Sequence, residues 1–404
     1  MTNGTAVKTA AGREHHWDFL RAVLMLLGVP YHVFLSYRAG QTWIVTSGEG
    51  GAAYAWLAEI IHLFRMPVFF IVAGYFAALL LSRRDPGVWF KGRLMRLGIP
   101  FVTCLLLLNP LMNFACELSV FPNPRDAWAS FLHNSATSGG YWVRHLWFLI
   151  VLLYFCALAA CAVRFFPALK QARLPQSADQ WLARHALPVL LAVAVIVGLW
   201  EAVAIELFYM GGLATNFPQQ ILRLDETIQF APWFLIGLVL QRTPALLDRL
   251  YRLSAPVAAI AVLAAAGSLV GMGRLGPMEG RFIASIAAVS IAQLAIAACK
   301  NFADRPHPLV DRMVEASFTI YLFHMPVIIG LVLAGKYVAL PVDAKVLLVL
   351  LLSLAISWGA WEVIRRSRLL LFLFDGRTMA KSAPIPPSPA LYRDKRCDPH
   401  PILP

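Results

Sequence analysis

The sequence predicts an all-α integral membrane protein, a bundle of about ten transmembrane helices with both termini on the cytoplasmic side. Three observations predict it. First, 59% of the 404 residues are hydrophobic and only 14% are charged, with a mean hydropathy of +0.66; that is more apolar material than a soluble core of this length needs. Second, the apolar residues gather into ten runs, most of them near the roughly 20 residues with which a helix crosses hydrocarbon. Third, of the 35 lysines and arginines, 25 fall in the N-terminus, the even-numbered connections and the C-terminal tail, counting Arg164 and Lys300 at the adjoining span ends, against 8 in the odd-numbered connections, counting Lys345 in the same way. Basic residues beside membrane spans stay in the cytoplasm, so this asymmetry sets the orientation. It also accounts for the net charge of +13 as topology and anionic-lipid contact, not a nucleic-acid surface.

The ten runs are 19–35, 56–81, 97–118, 145–166, 186–208, 228–241, 254–271, 282–300, 314–335 and 344–364. The sixth is short and contains Pro232, which predicts a broken or tilted helix whose freed backbone groups find partners inside protein. Three regions follow: a cytoplasmic segment 1–16, a transmembrane domain 17–368, and a cytoplasmic tail 369–404. The tail is rich in Pro, Ser and charge, as in "SAPIPPSPA", and is expected to be disordered. The polar N-terminal stretch carries no evident cleavage site, so no removable signal peptide is expected. The six cysteines, at 104, 116, 156, 161, 299 and 397, show no metal-ligand spacing and read as small apolar residues, with no metal and no tightly bound cofactor expected. The "GMGRLG" at 271–276 formally matches a dinucleotide glycine pattern but follows a membrane helix instead of a strand, so that reading is set aside.

The informative residues are the polar ones inside the runs. In "RAVLMLLGVPYH", Arg21 and His32 are just over three helical turns apart and share a face, separated by about 16 Å along the axis. Arg21 then lies at the cytoplasmic interface and His32 in the outer half. Gly28, between them on that face, leaves a shallow place for a thin substrate arm, and Pro30 can bend the helix just before His32. Snorkelling to headgroups is the simpler account of Arg21; an ionisable group as deep as His32 points to a pathway or a site. The second run, "AEIIHLFRMPVFFIVAGYF", sets Glu59, His62 and Arg65 on one arc. They read either as a structural ion-pair network or as a binding site for a carboxylated or hydroxylated ligand. His145 and Trp147 open the fourth run, and Ser317, Tyr321 and His324 form a stripe in the ninth, with His324 at a depth like that of His32. Glu201 in the fifth run is a carboxylate that can pair with one of these bases. Arg93 and Arg96, one turn apart at the cytoplasmic start of the third run, suit the phosphates of an anionic cosubstrate, although positive-inside placement alone also explains them.

Arg21 and His32, "FFIVAGYF" at 69–76, Arg93-x-x-Arg96, "HLWFL" at 145–149 and "YLFHMP" at 321–326 together resemble the membrane-bound acyltransferase family 3. "GVPYHVFLSY", "HLFRMPVFFIVAGYF" and "RLGIPF" look like its glucan-biosynthesis branch, which succinylates osmoregulated periplasmic glucans. The resemblance covers nearly all of the membrane region and stops near Asp375. It implies a ten-helix enzyme of the bacterial inner membrane that takes an acyl group from cytoplasmic acyl-CoA, with succinyl-CoA as cosubstrate, and places it on a periplasmic glucan. It implies that His32 is the essential histidine and that Arg21, Arg93 and Arg96 serve the donor. One position departs: the family often has serine in the "FFxxSGY" run, where this chain has Ala73.

The expected site is therefore His32, His62 and Glu201 for catalysis, Arg65, His145, Trp147, Tyr321 and His324 for substrate, and Arg21, Arg93 and Arg96 for the donor. A histidine near its ordinary pKa of about 6.5 is poised to take a proton from a sugar hydroxyl; a covalent acyl-histidine is the other route. Two further readings stand beside this one: an O-acetyltransferase of a surface polysaccharide or lipid-linked sugar, and a proton-coupled transporter, since buried His, Glu and Arg also build proton relays. The expected partners are a glycan, acyl-CoA and membrane lipids, with the oligomeric state left open.

Overall fold

A computed structural model describes residues 14–40, 43–121, 123–212 and 216–377. Cys397 and the expected disorder of residues 378–404 lie outside the described residues. Among the described residues the structure is helical and no strand forms.

The first run becomes α1 (His15–Leu26) and α2 (Gly28–Ser36), joined at Leu27. Pro30 has no N–H to offer the Leu26 carbonyl, and the ladder breaks one turn ahead of it, as its position predicts. Next come α3 (Ala52–Leu81), α4 (Pro86–Arg93), α5 (Ile99–Val120), α6 (Pro124–Thr137), α7 (Gly139–Val143) and α8 (Trp147–Phe165), followed by α9 (Gln176–Arg184), α10 (Ala186–Met210) and α11 (Phe217–Leu222). The chain closes with α12 (Leu224–Leu240), α13 (Pro244–Leu250), α14 (Ala255–Gly271), α15 (Pro277–Ala303), α16 (Pro308–Gly335), α17 (Val342–Ile364) and α18 (Arg368–Asp375). Starts are marked by side-chain caps with proline in the first turn: Asp85 accepts from Val88 N, Asn123 from Arg125 N and Asn216 from Gln219 N.

All ten apolar runs are helical. Among the described residues eight segments are long and apolar enough to cross a membrane, and the pair Phe217–Leu240 and Pro244–Leu250, bent by 108°, brings the number to nine if it forms one span. Ala255–Gly271 is a shorter apolar helix. The break expected in the sixth run is displaced: Pro232 sits inside α12, and the chain turns instead at 241–243, where Pro244 opens α13 and disfavours helical backbone in the residue before it. The tail also starts later than 369, because α18 turns Phe374 and Asp375 inward. Asp375 bonds Arg96 at 3.1 Å. Gly376 follows at φ +61°, and a Cβ there would stand 2.1 Å from the Met95 carbonyl oxygen, so only glycine fits.

Two contacts hold the frame that carries the site. Helices α3 and α12 touch backbone to backbone: a Cβ on Gly74 would stand 2.1 Å from Phe234 O, and one on Gly237 would stand 2.0 Å from Ile71 O. Small residues allow such an approach, and dispersion then replaces the hydrophobic drive that lipid does not supply. Phe70, buried beside this crossing, stacks on Phe230 at 4.8 Å. At the face where α1 begins, His16 Nδ1 lies 2.9 Å from Asp304 and its Nε2 3.1 Å from the Tyr251 hydroxyl. Lys300 reaches Asp304 at 2.5 Å. Burial pushes the Asp304 carboxyl up, but the hydrogen bonds from Lys300 and His16 outweigh it and hold it at about 2. Trp17 stacks on Tyr75 at 4.3 Å, and the Tyr75 hydroxyl donates to Glu14 at 2.8 Å, which fixes the base of α1.

Candidate active site

At the end of the bundle opposite the α1 start, α2, α3, α8, α12 and α16 enclose a cavity of about 330 Å³. His32 faces it from α2, and α3 contributes His62 and Arg65 one turn apart. His145 enters from the short 3-10 turn before α8, and Tyr321 from α16. The His32 and His324 rings lie 5.2 Å apart, and those of His145 and His324 5.6 Å apart. Three imidazoles from the first, fourth and ninth apolar runs thus form one cluster.

Each member is held from behind. His324 Nδ1 lies 2.6 Å from the Tyr321 carbonyl oxygen, which only accepts; that nitrogen therefore carries the proton, and Nε2 of the neutral ring presents its lone pair. The Tyr321 hydroxyl donates to the His145 carbonyl at 2.7 Å. His32 stacks on Trp43 at 5.2 Å. Arg65 lies over the Tyr31 ring at 4.7 Å, and Tyr31 meets His62 Nδ1 at 3.3 Å. Among the described residues, His32 Nδ1, both ring nitrogens of His145, His324 Nε2 and Arg65 Nε are buried without a hydrogen-bond partner. Buried polar atoms are normally paired, so this concentration of unpaired ones marks a place shaped for a ligand.

Gly28 has a different role from the one its position suggests. A Cβ there would stand 2.7 Å from Arg65 Nη1 and 3.5 Å from His324 Nε2: the space is filled by the guanidinium and not left for a substrate arm. Gly28→Ala is expected to keep the fold, because an arginine tip can shift, while displacing Arg65 and lowering turnover about tenfold or more. Thermal unfolding beside steady-state kinetics checks it; equal losses in both would contradict it.

Trp147 also lines the cavity, stacked on Phe230 at 5.6 Å. Ser317, in the same sequence stripe as Tyr321, turns away and bonds Met25 Sδ and the Val314 carbonyl. Glu201 is not brought to the imidazoles. It lines a neighbouring cavity, where its Oε1 accepts the Trp233 indole N–H at 2.6 Å. Glu59 lines that cavity too.

Sequence reasoning missed Tyr31, Trp43, Arg144, Glu226, Gln229 and Phe230, all of which line the His32 cavity. Arg144 is the most informative. It stands at φ +47°, an uncommon conformation for a residue with a side chain and one found disproportionately at functional sites. Its Nε donates to Asn113 at 2.8 Å. The available signal was its place next to His145.

The arginines expected to serve the donor lie toward the opposite end. Arg84, Arg93 and Arg96 line a pocket of about 210 Å³, and Arg96 is within electrostatic reach of both Arg93 and Arg21. Arg93 lies over Trp89 at 5.6 Å. Arg96 sits in a π-helical turn, Leu94–Gly98, a local irregularity that often accompanies function. Arg21 stands apart from the pocket lining, paired with Asp18 at 3.2 Å. Among the described residues no group of His, Cys, Asp or Glu is arranged to hold a metal ion.

A family model described as an acyltransferase domain matches residues 14–362. The chain belongs to acyltransferase family 3. The chain is also similar to the glucans biosynthesis protein C of Salmonella gallinarum (strain 287/91 / NCTC 13346), 28% identical over 92% of this chain and 97% of the relative. The protein of the same name from Escherichia coli O81 (strain ED1a) is likewise 28% identical, over 92% of this chain and 96% of the relative. No solved structure matches. The family 3 chain is thus a multi-pass membrane acyltransferase, and both the imidazole chamber and the arginine pocket fall within the matched span.

Proposed function

We propose that this acyltransferase moves a succinyl group from acyl-CoA, held at the arginine pocket on the cytoplasmic side, to a hydroxyl of a periplasmic glucan at the His32 chamber, within a bacterial inner membrane. The supporting observation is the cluster of His32, His145 and His324 beside Arg65, with unpaired nitrogens at a cavity that His32, His145 and Arg65 line. His32 takes the proton of the sugar hydroxyl, and that oxygen attacks the thioester carbonyl. The C–S bond then breaks, and the CoA thiolate leaves with a proton returned from the imidazolium. Oxygen-to-carbon bond formation thus balances loss of sulfur.

Arg65 supports a succinyl over an acetyl group. It has no carboxylate partner among the described residues, and a cation fixed over the Tyr31 ring favours an acyl chain that ends in a negative charge. Arg65→Met is expected to reduce succinyl transfer about 10²-fold while reducing acetyl transfer far less. Purified protein assayed with both thioesters, and mass spectrometry of glucans from cells with and without the gene, check this. Acetyl-modified glucan and equal losses for the two donors would replace succinyl with acetyl.

A further inference from the structure

A second cavity, of about 340 Å³, adjoins the His32 chamber and is bordered by α3, α10, α12, α14 and α15. This volume lies in the range of about 300–1,000 Å³ typical of small-molecule sites. The two spaces share a wall: His62, Met66, Gln229 and Phe230 line both. Their chemistry differs. The His32 chamber is rich in cation-forming groups, with Arg65, Arg144, His32 and His145 beside one carboxylate, Glu226, whereas the second adds to the shared His62 and Gln229 the carboxylates of Glu59 and Glu201 and the hydroxyls of Ser268 and Ser285. Its one further cation, Arg281, is paired with Glu206 at 2.9 Å.

Glu201 is only 6% exposed, and a carboxylate that deep in an apolar bundle is costly unless something uses it. The glycines at the mouth give a second sign. Gly280 lies within α15, where glycine costs about 1 kcal/mol relative to alanine, yet a Cβ there would meet nothing within 4 Å. Packing does not require this glycine; its effect is to leave one side of the helix bare where the cavity opens.

Carboxylate, amide and hydroxyl groups on the walls, with aromatic surface from Phe230 and Trp233, suit a neutral, hydroxyl-rich ligand and repel an acidic one. We infer that the second chamber is the acceptor subsite and binds a glucose unit of the glycan. Glu201 and Gln229 accept and donate hydrogen bonds to its hydroxyls, and a neighbouring hydroxyl reaches past Met66 and Phe230 towards His32. This inference rests on the proposed transfer for the identity of the acceptor.

The test uses the purified full chain in detergent, with a neutral linear glucose oligosaccharide as probe. Saturation-transfer NMR reads binding, and kinetics with acyl-CoA read the KM for the sugar. The wild type is expected to bind. Glu201→Gln, which keeps an oxygen for the Trp233 N–H, is expected to weaken binding and raise the sugar KM about tenfold. Gly280→Phe, which projects into open space, is expected to abolish the binding signal, and Gly280→Leu is the second filling variant should the larger ring unsettle the fold. Wild-type binding in Glu201→Gln and in a folded filling variant, or no binding by the wild type, overturns the assignment. Transfer with an unaltered sugar KM in a filling variant removes the subsite and leaves the transfer standing. Binding that follows the expected pattern without transfer from any acyl-CoA keeps the subsite and removes the proposed reaction.

Discussion

His32→Ala is expected to lower acyl transfer about 10²- to 10⁴-fold, the usual worth of a general base, with little change in unfolding temperature. The ring is stacked on Trp43 and lies 5.2 Å from His324, but its Nδ1 bonds nothing among the described residues, so its loss removes few structural contacts. KM for acyl-CoA should hold, because the arginine pocket proposed for the donor is at the other end of the bundle. The same substitution at His324 should cost less, through loss of the ring that stands between His32 and His145. Single-turnover kinetics on variants confirmed as folded measure both effects. Full activity in the His32 variant would end the mechanism; a trapped acyl-imidazole in the wild type would replace the general base with a covalent route.

Gly237→Leu is expected to leave no folded protein. The added Cβ alone would lie 2.0 Å from the Ile71 carbonyl oxygen and 2.7 Å from Tyr75 N, backbone atoms that move only if α3 and α12 separate. Even Gly237→Ala or Gly74→Ala should cost about 1–3 kcal/mol or more, the range for overpacking a tight core. Gly280→Ala, where nothing stands within 4 Å, serves as the control and should cost nothing, stabilising by up to about 1 kcal/mol. Thermal unfolding in detergent of the four variants checks the series; a stable Gly237→Leu protein would show that the two helices do not pack as described.

Much of this was legible in the sequence because membrane insertion imposes a simple rule: a helix must be long and apolar, and any ionisable residue in it needs a reason. His32, Arg65, His145 and His324 stood out on that ground, and they converge. Glu201 stood out equally but faces the neighbouring chamber, because periodicity gives the side of a helix and not the helix that faces it. Arg144, Glu226 and Gln229 were illegible for the opposite reason, since polar residues at span ends are ordinary in sequence and only the fold turns them inward. Gly28 carried the right position and the wrong occupant. The backbone contact of Gly74 with α12 left no mark either, as a glycine in a membrane helix is common and its partner lies more than a hundred and fifty residues away.

The wall that His62, Met66, Gln229 and Phe230 form between the two chambers has a thermodynamic consequence. A ligand on one side that orders these side chains relieves a ligand on the other of that entropic cost, so the two affinities rise together. Reciprocity makes the factor the same in both directions: under the proposed reaction, whatever the sugar does to the hold on the thioester, the thioester does to the sugar. Ternary-complex formation, not alternate visits by donor and acceptor, is then the favoured order of events.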